Sequence, residues 1–454
     1  MGVEHVDREQ HPLAALLQDN GWTGVGYLRR LAARHKALGY GAISEDKKRI
    51  YRWIHQGVVP EWTAQLTMAD LHGVPVEELH ARPWPKWLLY AAGHDDRPLL
   101  DPAWTPAATN TILTSMAGGT MDRRDFLIVS ALGAVTAQWA TAPPATAAGT
   151  GRRVGTQLAD LHDERLGALR RLDDQVGSGQ VYQAAKSELR MITETLTRCS
   201  YPQETGRRLY AAAAEASRIC GWTAYDSGFH AEAERHYITA LRAAASAGDR
   251  VVGANTLAFW AIQRYSTGDP QGAQHLITAA LEAAPSIGSP RMTAMLHARS
   301  ARAYAKAGDR QASQRAAGAA FDAYDRIDAG SAEPSCTYWV NRGELHQLAG
   351  SSALNLADPA RALTHFRAAT TATASDAYDG TAFPRGAAIY LAREAEAELA
   401  LNDIDAALHT AHRAVEHMGG VTSARGTSTL KDLRTQLAAR RTIPAVRDFL
   451  AATA

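Results

Sequence analysis

The chain has 454 residues, with 48 Lys and Arg against 47 Asp and Glu, 46% hydrophobic residues and three cysteines. That length allows two or three cores at about 100–200 residues per domain, and the ordinary apolar and charged fractions exclude disordered, collagenous and disulfide-stapled classes. A formal net charge of +1 gives no global attraction to nucleic acid or anionic membrane, so either activity requires charge segregated into one region.

Cys199, Cys220 and Cys336 are too far apart for a zinc pattern and are expected to be reduced, buried thiols. No stretch reaches the ~20 apolar residues of a membrane span. The first 25 residues lack an apolar signal core, so Met1 is expected to be the mature N-terminus and the location cytoplasmic, without membrane insertion.

Residues 10–82 alternate helical patterns with short turns. Leu13 to Leu17 opens one helix and Val25 to Lys36 forms another. A third is expected from Ser44, with Ile50, Trp53 and Ile54 inward and Glu45 and Asp46 in its first turn. Gly57 stops it, Pro60-Glu61-Trp62 begins a fourth, and Val76 to Leu79 closes a compact helical domain. Between Tyr27 and His55 stand eight bases (Arg29, Arg30, Arg34, Lys36, Lys47, Lys48, Arg49, Arg52) against Glu45 and Asp46, a local charge of +6. Lys48 and Arg52, four apart, share a face that Ile50, Trp53 and Ile54 leave free. A recognition helix needs this division between an anchoring stripe and one that meets phosphates and base edges. Lys47, Lys48, Arg49, Arg52, His55, Arg29 and Arg30 are the candidate DNA contacts. The alternative is a solvated basic face on a protein-binding domain.

Residues 83–154 read as a linker rich in proline and tryptophan (Pro83, Trp84, Pro85, Trp87, Pro98, Pro102, Pro106), where helices cannot run on. Within 121–147, Asp122-Arg123-Arg124-Asp125-Phe126-Leu127 matches the twin-arginine export pattern. The apolar stretch to Ala137 and the small-residue segment Ala142 to Ala147 follow it. A signal behind a folded domain cannot serve as an N-terminal address, so a hydrophobic linker helix docked on the next domain is expected. Internal initiation at Met121, giving an exported repeat protein, is the alternative.

From 155 to 450 apolar residues recur at helical spacing. The turn residues Gly228, Gly268 and Gly308 are 40 apart, each followed by a small residue (Ala233, Ala273, Ser313) and then by Ala240-Leu241, Ala280-Leu281 or Ala320-Phe321. Looser copies follow at Ala357-Asp358-Pro359 and Asn402-Asp403-Ile404, and a helical pair over about 156–199 precedes them as a cap. A fixed period of paired helices with small residues at the crossings is the tetratricopeptide arrangement, stretched beyond its usual ~34 residues; a generic alanine-rich bundle is the alternative. First helices of such pairs line the concave side, placing Arg218, Trp222, Tyr225, Asn255, Tyr265, Arg302, Asn341 and Glu344 in a groove. Asn can bond both peptide groups of an extended chain and Arg its carboxylate, so a peptide, small-molecule or protein effector is expected there, with internal packing the competing use. No phosphate loop, G-x-S-x-G, H-E-x-x-H or complete G-x-G-x-x-G occurs, and His409, His412 and Glu416 read as a surface stripe. No catalysis, cofactor or metal is expected.

The run Ile50 to Pro60, followed by Leu66, Met68-Ala69, Leu71, Gly73-Val74 and Glu78-Leu79, resembles the second half of a Cro/repressor-type (XRE-like) helix-turn-helix domain. It differs in a longer connection, Ala37 to Ser44, and in lacking the acidic residue before the glycine. Leu169 to Asp174 and Gly221 to Gly228 resemble actinobacterial regulators that join such a domain to tetratricopeptide repeats, among them streptomycete regulators of differentiation and antibiotic production. The resemblance implies an all-α protein, a small helix-turn-helix domain plus a tetratricopeptide-like α-solenoid. It further implies a homodimer that regulates transcription from double-stranded operator DNA in response to an effector. The alternative is an interaction scaffold that does not bind DNA.

Overall fold

The computed structural model describes residues 11–453 except 20–21, 73, 75, 82, 86, 89–96, 101, 119–131, 148–150, 329, 331–332 and 372–375. The described residues are overwhelmingly helical and divide into two compact units, the first within 11–100 and the second within 102–453.

The first unit comprises α1 (Pro12–Asp19), α2 (Gly24–Ala37), α3 (Lys48–His55), α4 (Trp62–Leu71), α5 (Val76–Ala81) and the short α6 (Arg97–Leu100). Thr23 starts α2 by accepting the Gly26 N–H at 3.1 Å. The third helix begins at Lys48, not at Ser44. Asp46 accepts the Lys48 N–H at 3.0 Å and gives its own N–H to Ser44 Oγ at 3.3 Å. These polar side chains hold an extended approach to the helix instead of entering its first turn. Leu13, Tyr27, Leu28, Leu31, Ile50, Trp53, Met68 and Leu79 form the core. The proline- and tryptophan-rich stretch begins inside that core: Trp87 and Leu88 are buried in it, and Trp87 Nε1 donates to Gln65 Oε1 at 2.9 Å.

The second unit opens with α7 (Pro106–Gly118), α8 (Leu132–Thr141) and a two-residue strand, β1 (Arg152–Arg153), parallel to β2 (Cys199–Ser200). In chain order α9 (Thr156–Val176) and α10 (Ser178–Arg198) precede β2, and α11 (Gln203–Asp226), α12 (His230–Ala247), α13 (Arg250–Ser266) and α14 (Pro270–Ile287) follow it. Then come α15 (Pro290–Lys306), α16 (Arg310–Tyr324), α17 (Arg342–Asn355), α18 (Pro359–Thr371), α19 (Pro384–Ala400), α20 (Ile404–Met418), α21 (Ala424–Ala438) and α22 (Pro444–Ala452). From α9 to α20 the helices pair as hairpins, and α11, α13, α15, α17, α19 and α21 pack successively on one another as an inner layer.

One local device starts six of these helices. A residue with positive φ (Gly248, Gly268, Gly288, Gly308, Ala357 or Asn402) is followed by Asp249, Asp269, Ser289, Asp309, Asp358 or Asp403, whose side chain accepts an N–H two or three residues on. The left-handed residue ends one helix and the oxygen caps the next. Where hairpin helices cross, space is minimal: a Cβ on Gly350 would stand 2.7 Å from the Phe366 ring.

The helix expected behind the twin-arginine motif is docked on this array. α8 packs on α12 and α14, Val135 and Trp139 are buried, and Trp139 occupies the place a Cβ on Gly253 would need. Arg242 donates to the carbonyls of Pro102 and Ala103, each at 2.7 Å, and lies over Trp104. The motif itself, Asp122 to Leu127, and Met121 lie outside the described residues.

The array closes on itself, with α9 packed against α19. Thr422 accepts the Ser178 N–H and donates to Val176 O, both at 3.1 Å. Gly177, at φ 81°, permits this contact, since a Cβ there would stand 2.4 Å from Thr422 O. Gln175 reaches the Ala382 carbonyl at 2.7 Å, and Arg385 of α19 pairs with Asp173 of α9 at 2.7 Å.

Candidate functional site

On α3 the division of faces holds. Ile50 and Trp53 are buried, while Lys47, Lys48, Arg52 and His55 stand exposed. Tyr51 joins them at 57% exposure, its ring 4.8 Å from His55. Arg29 is exposed and 3.8 Å from Glu45, and Arg30 lies over the Trp22 ring at 4.8 Å. Arg49 does not belong to this face. Its guanidinium packs back over Trp53, four residues on, at 5.3 Å and sits 3.7 Å from Glu61, because cation–π attraction and a carboxylate compete with water for it. The face therefore carries Lys47, Lys48, Tyr51, Arg52 and His55.

In the second unit, seven of the eight expected groove residues meet on the inner layer. Arg218, Trp222, Asn255 and Glu344 line a cavity of about 140 Å³. Tyr225, Tyr265 and Arg302 line an adjoining one of about 430 Å³. Asn341 is not among them. It is the N-cap of α17, accepting the Glu344 N–H at 2.8 Å and donating to Ala377 O at 2.9 Å, because its extended backbone just ahead of a helix turns the amide onto that helix's free N–H groups.

The walls alternate cations, carboxylates and rings. Glu215 binds Arg170 and Arg218, each at 2.7 Å, and their charges hold its carboxyl down at about 2 against the cost of burial. Asp173 accepts from Ser178 Oγ at 2.7 Å, Trp222 Nε1 at 2.9 Å and Arg385 at 2.7 Å. Asp226 meets Arg385 at 3.4 Å and Arg425 at 3.1 Å. Those two arginines lie 5.3 and 4.9 Å from the Trp222 ring, Phe259 meets Trp222 edge-on at 5.0 Å, and Arg218 covers Phe259 at 4.5 Å. Satisfied charges and stacked rings make these walls rigid.

Two acids are pushed the other way. Burial raises Glu344 to about 7, with Tyr390 Oη donating to it at 2.7 Å, and raises Asp174, bonded by Tyr338 Oη, to about 6. Burial also lifts the thiol of Cys336, on the cavity wall, to about 12, which keeps it protonated. Asn255 is 1% exposed and its Oδ1 has no hydrogen-bond partner among the described residues.

Sequence reasoning missed Arg170, Asp173, Arg385 and Arg425. They reach the cavity only because the array closes, bringing α9, α19 and α21 together. Arg299 was missed as well; it lines both cavities and could have been found from its place one turn ahead of Arg302 on the same helix. His409 and Glu416 are exposed, and His412 packs edge-on against Phe449 at 4.9 Å. No described helix is long and apolar enough to cross a membrane. The chain matches no protein-family model, and no curated protein or solved structure is significantly similar to it.

Proposed function

We propose that this chain is a DNA-binding transcriptional regulator whose helical array, of tetratricopeptide type, senses an effector in its central cavities. The observation that carries the reading is α3, which anchors itself by Ile50 and Trp53 and presents Lys47, Lys48, Arg52 and His55 to solvent. Such a helix fits the major groove with its cations on phosphates and base edges. The resemblance to streptomycete regulators supports control of differentiation or secondary metabolism, and a two-headed dimer would match paired half-sites. The docking of α8 on α12 and α14 supports a role for the apolar segment as part of the fold, not as an export signal.

The test is fluorescence anisotropy of the full chain with promoter fragments from its own genome, across a salt series. Each phosphate contact contributes about −0.9 to the slope of log affinity against log salt. Lys48→Ala/Arg52→Ala is expected to reduce that slope by about 2. Wild-type protein with no salt-dependent binding to any fragment refutes the regulator reading. The exposed apolar side chains Val58, Val59 and Trp62 beside α3 favour the second reading, a protein-binding scaffold without DNA binding, and their alanine variants would then abolish partner capture by a chain that binds none of the promoter fragments.

A further inference from the structure

The adjoining cavities differ in chemistry along three shared helices. On α13, Asn255 and Phe259 line the smaller cavity, Ile262 lines both, and Tyr265 lines the larger. On α15, Arg299 is common to both, while Arg302 and Lys306 face only the larger; on α19 the order is Arg385, Tyr390, Arg393. From Asn255 to Ile262 the rise is about 10 Å. A ligand of that length passes from a compartment rich in rings, whose arginines stand beside Asp173, Asp174 and Glu344, into a more cationic one where Arg299, Arg302, Lys306, Arg393 and Arg425 face Asp432.

The cationic compartment is under-compensated. Arg393 is bound to Glu396 at 3.0 Å, and Arg302 donates to the neutral amide of Asn355 at 2.8 Å. Arg299 lies over Trp339 at 5.2 Å. Arg299 and Arg302 are hydrogen-bonded to Tyr265 and Glu344 favours the charge on Arg299, while Glu396 and Asp432 act on Lys306 and Asp432 is the acid on the lining of the larger cavity. Burial and the nearby Arg302 and Arg393 charges lower Lys306 to about 8 against the opposing pull of Glu396 and Asp432. Cations held together in this way are relieved by an anion. In the aromatic compartment Asn255 Oδ1 is a buried acceptor without a donor among the described residues, a cost that a ligand N–H removes.

We propose that the two cavities form one site for a flat ring bearing an N–H donor and an anionic group about 10 Å away or less. The ring sits against Phe259, Trp339 and Tyr390 with its N–H on Asn255 Oδ1, and the anion, carboxylate or phosphate, lies between Arg299, Arg302 and Lys306. This rests on the reading that the array holds an effector and is independent of DNA binding.

Isothermal titration of the full chain with indole, 1-methylindole-3-acetate, indole-3-acetate and 3-indoxyl phosphate tests it. Both N–H-bearing anions are expected to bind at least about tenfold more tightly than indole, and the methylated probe about tenfold more weakly than indole-3-acetate. The tighter of the two anions identifies the head group. Lys306→Glu, a change at the exposed mouth of the cavity, and Arg302→Gln are each expected to weaken both anions about tenfold and leave indole unchanged. Asn255→Ala is expected to erase the preference for the unmethylated ring. Indole binding as tightly as the anions, or no probe binding at millimolar concentration, overturns the proposal. DNA affinity measured on the same preparation separates this failure from that of the regulator reading. Retained DNA binding without anion binding sinks only the ligand site, and the converse sinks only the regulator.

Discussion

Arg385→Ala tests whether the array works as a closed body. Arg385 reaches from α19 to Asp173 of α9 and Asp226 of α11, and it is buried, as are both acids. Removing it takes the shared guanidinium from both buried carboxylates and leaves Arg425 on Asp226. Breaking a buried pair in this way costs about 3–5 kcal/mol, because the surviving charge loses its partner without regaining water. In an open stack of repeats each hairpin senses only its neighbours, so damage on α19 would stay there. In the closed array α9 lies more than 200 positions away in sequence yet shares the broken contact. The assay is amide hydrogen exchange followed by mass spectrometry. Peptides covering 156–176 are expected to lose protection together with those covering 384–400, while Arg361→Ala, exposed on α18, changes neither. Unaltered exchange over 156–176 in Arg385→Ala would refute the closure argument.

Glu344 makes stability pH-dependent with a definite sign. Its folded value near 7 exceeds the ordinary 4.5, so between these values the folded chain binds a proton that the unfolded chain has released, and stability falls as pH rises through that window. Glu344→Gln is expected to flatten this slope in urea melts between pH 5 and 8 and to stabilise by about 3 kcal/mol above pH 7. Trp139→Ala should cost about 3 kcal/mol of packing and make the 132–147 segment the first site of limited proteolysis, an effect absent if α8 only rests on the array. Ala357→Gly should raise thermal stability by about 1 kcal/mol, since alanine holds a left-handed φ of 55° there that glycine adopts freely; unchanged or lower melting would count against the strain.

Much of this architecture was legible one helix at a time. The glycines 40 residues apart marked real turns because a left-handed φ is a local demand, and the Asp after Gly268 and after Gly308 marked a helix start because capping is local as well. The sequence also assigned the basic and apolar faces of α3, since three- and four-residue spacing alone decides which side chains share a face. It placed the start of that helix too early, because Ser44, Glu45 and Asp46 suit a first turn equally well and the hydrogen bonds of Asp46 decided otherwise. Only the tertiary structure turned Asn341 into a cap, Arg49 into a ring partner and Trp87 into core. Above all, it closed the array. Nothing in the neighbourhood of Asp173 or Arg385 announces a partner 212 residues away, because their pairing depends on small rotations accumulated over successive hairpins. That accumulated curvature converts a concave face into walled cavities and sets stacked arginines, clustered cations and an orphaned asparagine around one space.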